Sequence, residues 1–265
     1  MSVVVKESDL RDGDVFLFHG KSFIGGMIRF FEMGKYNHAA IYSNGNILEA
    51  VGEGVVSHPL SEYLNATEDG QYIDVFRFRD RNGAELGSDE LPFTPVGERI
   101  EYYMANRERY AFEQLILLAI ITATRKTPLN LIPGVRKMMR IITDSAAAVI
   151  TDILDNGKEP MICSELVFRC FMEAGLEYKI RIKEIDFNVV HDDGAVECET
   201  EKHECILFKK QSKSFLNKYL RAKKEAREQF GLFNPEYEGI ANYVTPKDLS
   251  RSPSLNNIGR LSLSE

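Results

Sequence analysis

The sequence has no hydrophobic run long enough to cross a bilayer, and its first residues do not resemble a secretion signal. The longest apolar stretch, Leu115 to Ile121, is far shorter than the roughly 20 residues that a membrane-spanning helix needs. Met1 to Leu10 contains a short valine run followed by charged residues, whereas a signal peptide has a basic start and a longer apolar region. We therefore expect a cytoplasmic protein.

The chain also lacks an excess of positive charge and an obvious disulfide pattern. Its net charge is −7, and phosphate contacts need clustered lysine and arginine, so we predict no nucleic-acid partner. Lys209 to Lys224 is locally basic, and we interpret this cluster as a solvated helix face. Cys163 and Cys170 lie roughly 10 Å apart along one predicted helix, which is too far for a disulfide.

A cluster of potential zinc ligands does not have the spacing of a zinc site. It consists of His191, Cys198, His203 and Cys205. Structural zinc sites in proteins are typically built from two closely spaced ligand pairs, and this cluster does not contain two such pairs. We predict neither a metal nor another cofactor.

The remaining composition permits a soluble enzyme with a sizeable core. Apolar residues make up 44% and charged residues 28% of the 265 positions. Alternating and helical patterns are mixed along the chain, so we predict an α+β fold. The predicted strands are Val15 to Phe18, Asn37 to Tyr42, Ile47 to Val51, Tyr72 to Phe78, Cys205 to Phe208 and Tyr243 to Thr245. The predicted helices are Ser22 to Phe31, much of Gly97 to Asp155, Met161 to Ala174 and Lys213 to Gln229.

A β-hairpin is predicted around Asn44-Gly45, the strongest short hairpin signal. With these two residues at the turn, alternation places His38 and Glu49 on one face of the hairpin. Ala39 and Ile41 then lie on the other face, which is wholly apolar and should pack into a core. His38 and Glu49 are diagonal neighbours, roughly 7–8 Å apart before their side chains reach toward each other.

A cysteine begins the predicted helix that follows Pro160. The unpaired amides and the dipole at a helix start favour a thiolate, so Cys163 is a candidate nucleophile. A nearby His38 would act as its base, and Glu49 would fix the tautomer of the imidazole. Each residue alone also has a structural interpretation: buried cysteines are often apolar filler, as we expect for Cys170, and His38 and Glu49 can be ordinary strand residues.

Several motifs together resemble the circularly permuted branch of the NlpC-type papain-fold hydrolases, and more narrowly the YiiX-like permuted amidases. The histidine and cysteine motifs are specific in combination and weak apart. The motifs are Gly13-Asp14-Val15, Asn37 to Tyr42, Ile47 to Ala50 followed by Gly54-Val55-Val56, Cys163 to Val167, and Val244 to Leu249.

The resemblance implies a small antiparallel sheet packed on the cysteine helix. It also implies that Cys163 is the nucleophile, His38 the base and Glu49 the residue that orients the histidine. Tyr110 and Tyr36 are the expected substrate-binding residues.

We expect a single domain over residues 1–249 with helical insertions at about 111–158 and 178–229. These insertions are expected to shape the substrate site or a partner surface. Residues 250–265 are expected to form a loosely held tail.

The predicted function is hydrolysis of an amide bond through an acyl-enzyme, with a peptide or peptidoglycan-like substrate. Two alternatives stay open. One is a lipid acyltransferase or deacylase similar to the lecithin retinol acyltransferase group, in which the apolar stretch near Leu115 accepts an acyl chain. The other is a binding module that keeps the fold without catalysis. The expected partner is thus a peptide or an acylated small molecule, with a membrane surface as a secondary expectation.

Overall fold

A computed structural model describes residues 3–51, 54–66, 70–105, 161–183, 214, 216–221, 223–225, 227–229 and 231–262. The predicted strand at 205–208, Tyr110, the first predicted insertion and the four potential zinc ligands lie outside these residues. The strands are β1 (Val4–Val5), β2 (Val15–His19), β3 (His38–Ser43), β4 (Asn46–Val51), β5 (Gly54–Pro59), β6 (Tyr72–Phe78) and β7 (Leu255–Leu261). The helices are α1 (Phe23–Glu32), α2 (Leu60–Ala66), α3 (Thr94–Ala105), α4 (Cys163–Met172), α5 (Pro235–Ala241) and α6 (Pro246–Ser250). The described residues between 214 and 229 are also helical, and we call them the 214–229 helix.

The described strands form one mixed sheet in the order β1-β7-β6-β2-β3-β4-β5. Neighbouring strands are antiparallel except for β1 and β7, which run parallel. The predicted α+β class is therefore confirmed. Among the described residues, no helix has the length and apolar character that a membrane crossing requires.

The predicted hairpin is present with the predicted register near its turn. Tyr42 pairs with Ile47 and Ser43 pairs with Asn46. Asn44 and Gly45 have φ angles of 50° and 77°, as a two-residue type I′ turn requires. This turn sets the register that relates His38 on β3 to Glu49 on β4.

Both faces of the sheet are covered. On one face, the predicted apolar side of the hairpin packs against α4, where Ala39 and Ile41 join Leu166 in a buried cluster. On the opposite face, Ala40 packs with Leu60 of α2 in a second buried cluster. The hairpin therefore lies between the cysteine helix on one side and α2 on the other.

The expected loosely held tail is wrong over Leu255–Leu261. This segment forms β7, inserted in the sheet between β6 and β1, and the side chains of Leu255 and Leu261 are buried. Its backbone is stabilised by pairing with β1 and β6, two strands from the first third of the chain. This is a non-local effect that the serine- and asparagine-rich composition does not show. The exposed Asn256 and Asn257 supply much of the polar pattern.

The predicted strand at Tyr243 to Thr245 is also wrong. These residues lead into α6, and Thr245 is the N-cap residue of that helix. Its side chain accepts a hydrogen bond from the backbone N–H of Asp248, whose own side chain accepts one from the backbone of Thr245. This reciprocal capping box ends the extended segment.

Candidate functional site

The side chains of His38 and Glu49 meet in a buried contact. Nε2 of His38 lies 2.5 Å from Oε2 of Glu49. The two residues are only 8% and 3% exposed. The predicted proximity of these diagonal neighbours is confirmed, because the imidazole and the carboxylate extend toward each other across the hairpin.

This contact selects one tautomer of the imidazole. An ionised carboxylate only accepts hydrogen bonds, so Nε2 of His38 carries the proton that it donates to Glu49. In the neutral ring the lone pair then resides on Nδ1. The pair is thus arranged to present Nδ1 as a base, with Glu49 stabilising the positive charge that protonation would create.

Aromatic side chains pack beside His38 and Glu49 on the face of the sheet that α2 covers. The ring of Phe18 lies 5.1 Å from the imidazole of His38 and 5.6 Å from the ring of Tyr63. The hydroxyl of Tyr63 donates a hydrogen bond to Oε1 of Glu49. Sequence reasoning missed Tyr63, since it lies on a separate helix and no hairpin or helix periodicity connects it with Glu49.

Cys163 begins α4, as predicted. The residue is fully buried, in the cluster that also contains Ala39 and Ile41. Helix α4 packs on β3 and β4, so the cysteine helix lies directly on the hairpin that holds His38 and Glu49. Cys163 packs on the α4 face, whereas His38, the first residue of β3, has its ring beside Phe18 on the α2 face. A contact between the sulfur and the imidazole stays a prediction.

Helix α4 carries polar side chains that are buried rather than solvated. Glu165, two residues after Cys163, accepts a hydrogen bond from Nε of Arg169 at 2.6 Å. Its carboxylate also lies 2.8 Å from Nζ of Lys223 and accepts a hydrogen bond from the hydroxyl of Tyr219 at 3.2 Å. The solvated face predicted for Lys209 to Lys224 is therefore wrong at Lys223, whose side chain is 1% exposed.

This charge network continues into α5. Arg169 donates two hydrogen bonds to Glu238, at 2.9 and 2.8 Å. Arg227 donates at 2.6 Å to both Glu238 and Glu173. Burial acts to lower the pKa of Arg169, but the charge of Glu165 and the hydrogen bonds to Glu238 outweigh burial and raise this pKa well above its ordinary value. The network ties α4 to the 214–229 helix and to α5.

Tyr36 is buried in a hydrogen bond to a carboxylate. Its hydroxyl donates to Oδ2 of Asp74 at 2.8 Å. Burial and this hydrogen bond raise the pKa of Tyr36, and its ring lies 6.0 Å from the ring of Phe76 and nearly perpendicular to it. Its predicted role in substrate binding stays a prediction, as does that of Tyr110, which lies outside the described residues.

The described part of the chain contains no group of three or more histidine, cysteine, aspartate or glutamate side chains placed to hold a metal ion. His191, Cys198, His203 and Cys205 lie outside that part. The prediction that the protein needs no metal or other cofactor therefore stays a prediction.

Comparisons with known proteins give a distant structural neighbour. No protein-family model matches the chain, and the search of curated proteins finds no match. The structure is similar to the crystal structure of metalloprotein yiiX from Escherichia coli O157:H7, with 13% identity and a TM-score of 0.44. The similarity covers 94% of this chain and 97% of the other. The similarity is distant, and no statement about chemistry follows from it.

Proposed function

We propose that this protein is a cysteine hydrolase that cleaves an amide bond in a permuted papain arrangement. The observation that carries the proposal is the buried 2.5 Å contact between His38 and Glu49. This pair is held on the hairpin against which the helix beginning at Cys163 packs. A base with a fixed tautomer and a thiol at a helix start are the two parts that thiol catalysis needs.

Because Cys163 packs on the α4 face and the ring of His38 lies on the α2 face, the proposed reaction needs a rearrangement at the start of β3 that brings the two side chains together. It then begins with transfer of the thiol proton of Cys163 to Nδ1 of His38. The thiolate attacks the carbonyl carbon of the amide, and the backbone N–H of Cys163 stabilises the negative oxygen that forms. The imidazolium then gives its proton to the leaving amine as the C–N bond breaks, which leaves a thioester on Cys163. Water deprotonated by His38 attacks the thioester, releases a carboxylic acid and restores the thiol.

Glu49 and the start of α4 supply the electrostatics of this cycle. The carboxylate of Glu49 stabilises the imidazolium that exists between the two proton transfers. The helix dipole and the first-turn amides of α4 stabilise the thiolate. Cys163 is fully buried, so the surrounding structure has to open before a substrate reaches its sulfur. The proposed substrate is a peptide or a peptidoglycan-like amide.

Limited alkylation tests the proposal with a control inside the same helix. Cys163 and Cys170 both lie on α4 and are both fully buried, so a difference in their reactivity reports activation rather than average exposure. After a brief, limiting dose of iodoacetamide, mass spectrometry is expected to find Cys163 labelled first. The variant His38→Ala should slow this labelling near neutral pH.

A substrate panel then separates amide hydrolysis from its alternatives. Quenched peptides, peptidoglycan fragments and short-chain phospholipids are incubated with the wild-type protein and with Cys163→Ala. Cleavage of an amide that Cys163→Ala abolishes supports the proposal, and acyl release or transfer from the phospholipid would contradict it. Equal labelling of Cys163 and Cys170, with no turnover in any panel, would favour a non-catalytic binding module.

A further inference from the structure

The carboxylate of Glu49 is held at both of its oxygens by different elements. Oε2 contacts Nε2 of His38 on the hairpin, at 2.5 Å. Oε1 accepts the hydrogen bond from the hydroxyl of Tyr63. Tyr63 lies on α2 (Leu60–Ala66), which directly follows β5. A carboxylate bound in this way has little freedom to rotate away from the imidazole.

The Tyr63 ring is itself fixed by packing. It lies 5.6 Å from the ring of Phe18 and 6.4 Å from that of His58. Leu60, on the same helix, is 1% exposed and anchors α2 against the sheet. The hydroxyl is therefore delivered to Glu49 by a packed helix rather than by a mobile surface side chain.

The burial of Glu49 makes this second hydrogen bond important. An ionised carboxylate at 3% exposure has lost most of its hydration, and its desolvation is offset only by donors placed around it. The hydroxyl of Tyr63 is one such donor. It leaves Oε2 directed at His38, and this orientation keeps the imidazole proton on Nε2.

We infer that Tyr63 is a positioning residue for His38 and acts through Glu49, in a chain Tyr63–Glu49–His38. The hydroxyl orients the carboxylate, and the oriented carboxylate holds the imidazole in the tautomer with its lone pair on Nδ1. The hydrogen bonds that link Tyr63, Glu49 and His38 do not depend on whether the protein is an enzyme. Their role in catalysis rests on the proposed function. Tyr63 contacts Oε1 of Glu49, the carboxylate oxygen that does not contact His38.

The test removes the hydroxyl and keeps the ring. Long-range ¹⁵N–¹H NMR on the full-length protein measures the two neutral tautomers of His38 in the wild type, in Tyr63→Phe and in Tyr42→Phe. Tyr42 is the matched control, because its ring lies in the same cluster and stacks on Phe16 at 5.7 Å. In the wild type the Nε2–H tautomer should predominate. In Tyr63→Phe the ratio of Nε2–H to Nδ1–H should fall about fivefold, the size expected for one side-chain hydrogen bond.

The outcomes separate this inference from the proposed function. An unchanged tautomer ratio in Tyr63→Phe, or an equal fall in Tyr42→Phe, overturns the positioning role even if Cys163 is reactive. A fall specific to Tyr63→Phe supports the role even if the wild type turns over nothing, in which case the proposed function fails alone. If both hold, Tyr63→Phe should also slow the alkylation of Cys163 near neutral pH. Thermal unfolding of each variant confirms that the comparison is made between folded proteins.

Discussion

Arg227 provides the sharpest stability prediction, because its guanidinium is fully buried among carboxylates. Its Nε donates to Glu238 at 2.6 Å, and its Nη2 donates to Glu173 at 2.6 Å and to the carbonyl oxygen of Leu232 at 2.9 Å. The side chain is 0% exposed. Replacement by methionine keeps an unbranched stem and removes the charge and all of these donors.

The expected loss is large, because the carboxylates stay behind. Removing one partner of a buried ion pair typically costs about 3–5 kcal/mol, since it leaves an uncompensated buried charge. In Arg227→Met, Glu238 keeps its hydrogen bonds from Arg169, so we expect the lower end, about 3 kcal/mol. For a chain of this size, that change corresponds to a fall in Tm of roughly 6–12 °C.

Urea denaturation and thermal unfolding followed by circular dichroism measure this loss. The matched control is Arg221→Met on the same 214–229 helix, where the side chain is 80% exposed and pairs with Glu225. An exposed pair of this kind contributes little, so Arg221→Met should unfold close to the wild type. If the two variants unfold at the same denaturant concentration, the buried network does not stabilise the packing on α4 and this reasoning is wrong.

Three further changes test other parts of the structure. Burial acts to raise the pKa of Glu238, but the hydrogen bond and charge of Arg169 outweigh it and lower this pKa. The stability that Glu238 contributes should therefore be present above its unfolded pKa of about 4.5 and be lost as the pH falls below that value. Glu238→Gln should flatten this acid dependence in urea titrations, and an unchanged dependence would show that other carboxyls cause it. Cys163→Ala should abolish turnover while its Tm stays near that of the wild type, so residual turnover would identify another nucleophile. Gly259→Ala should lower Tm, because Gly259 has a φ of +143° and an added Cβ would lie 2.4 Å from the carbonyl oxygen of Val3; an unchanged Tm would show that the β1–β7 pairing adapts without cost.

Local patterns account for the parts of the candidate site that were predictable. The Asn44-Gly45 turn sets the hairpin register, and alternation from that turn brings His38 and Glu49 to neighbouring positions. Cys163 was predicted to begin a helix because an apolar helical pattern starts there. Each of these inferences depends on residues within about a dozen positions of one another, where turn geometry and side-chain periodicity act directly.

The sequence by itself thus determined the α+β class, the hairpin and the helix that begins with cysteine. Only the tertiary structure decided that Leu255–Leu261 forms a strand inside the sheet, that Arg227 is buried against α4 and α5, and that Tyr63 reaches Glu49. In these cases the stabilising partner is distant in the chain or lies on a separate element, so the local periodicity of the sequence does not indicate it. A polar residue such as Arg227 has the same pattern in sequence whether it faces water or a buried carboxylate, and the packing of the chain decides between the two.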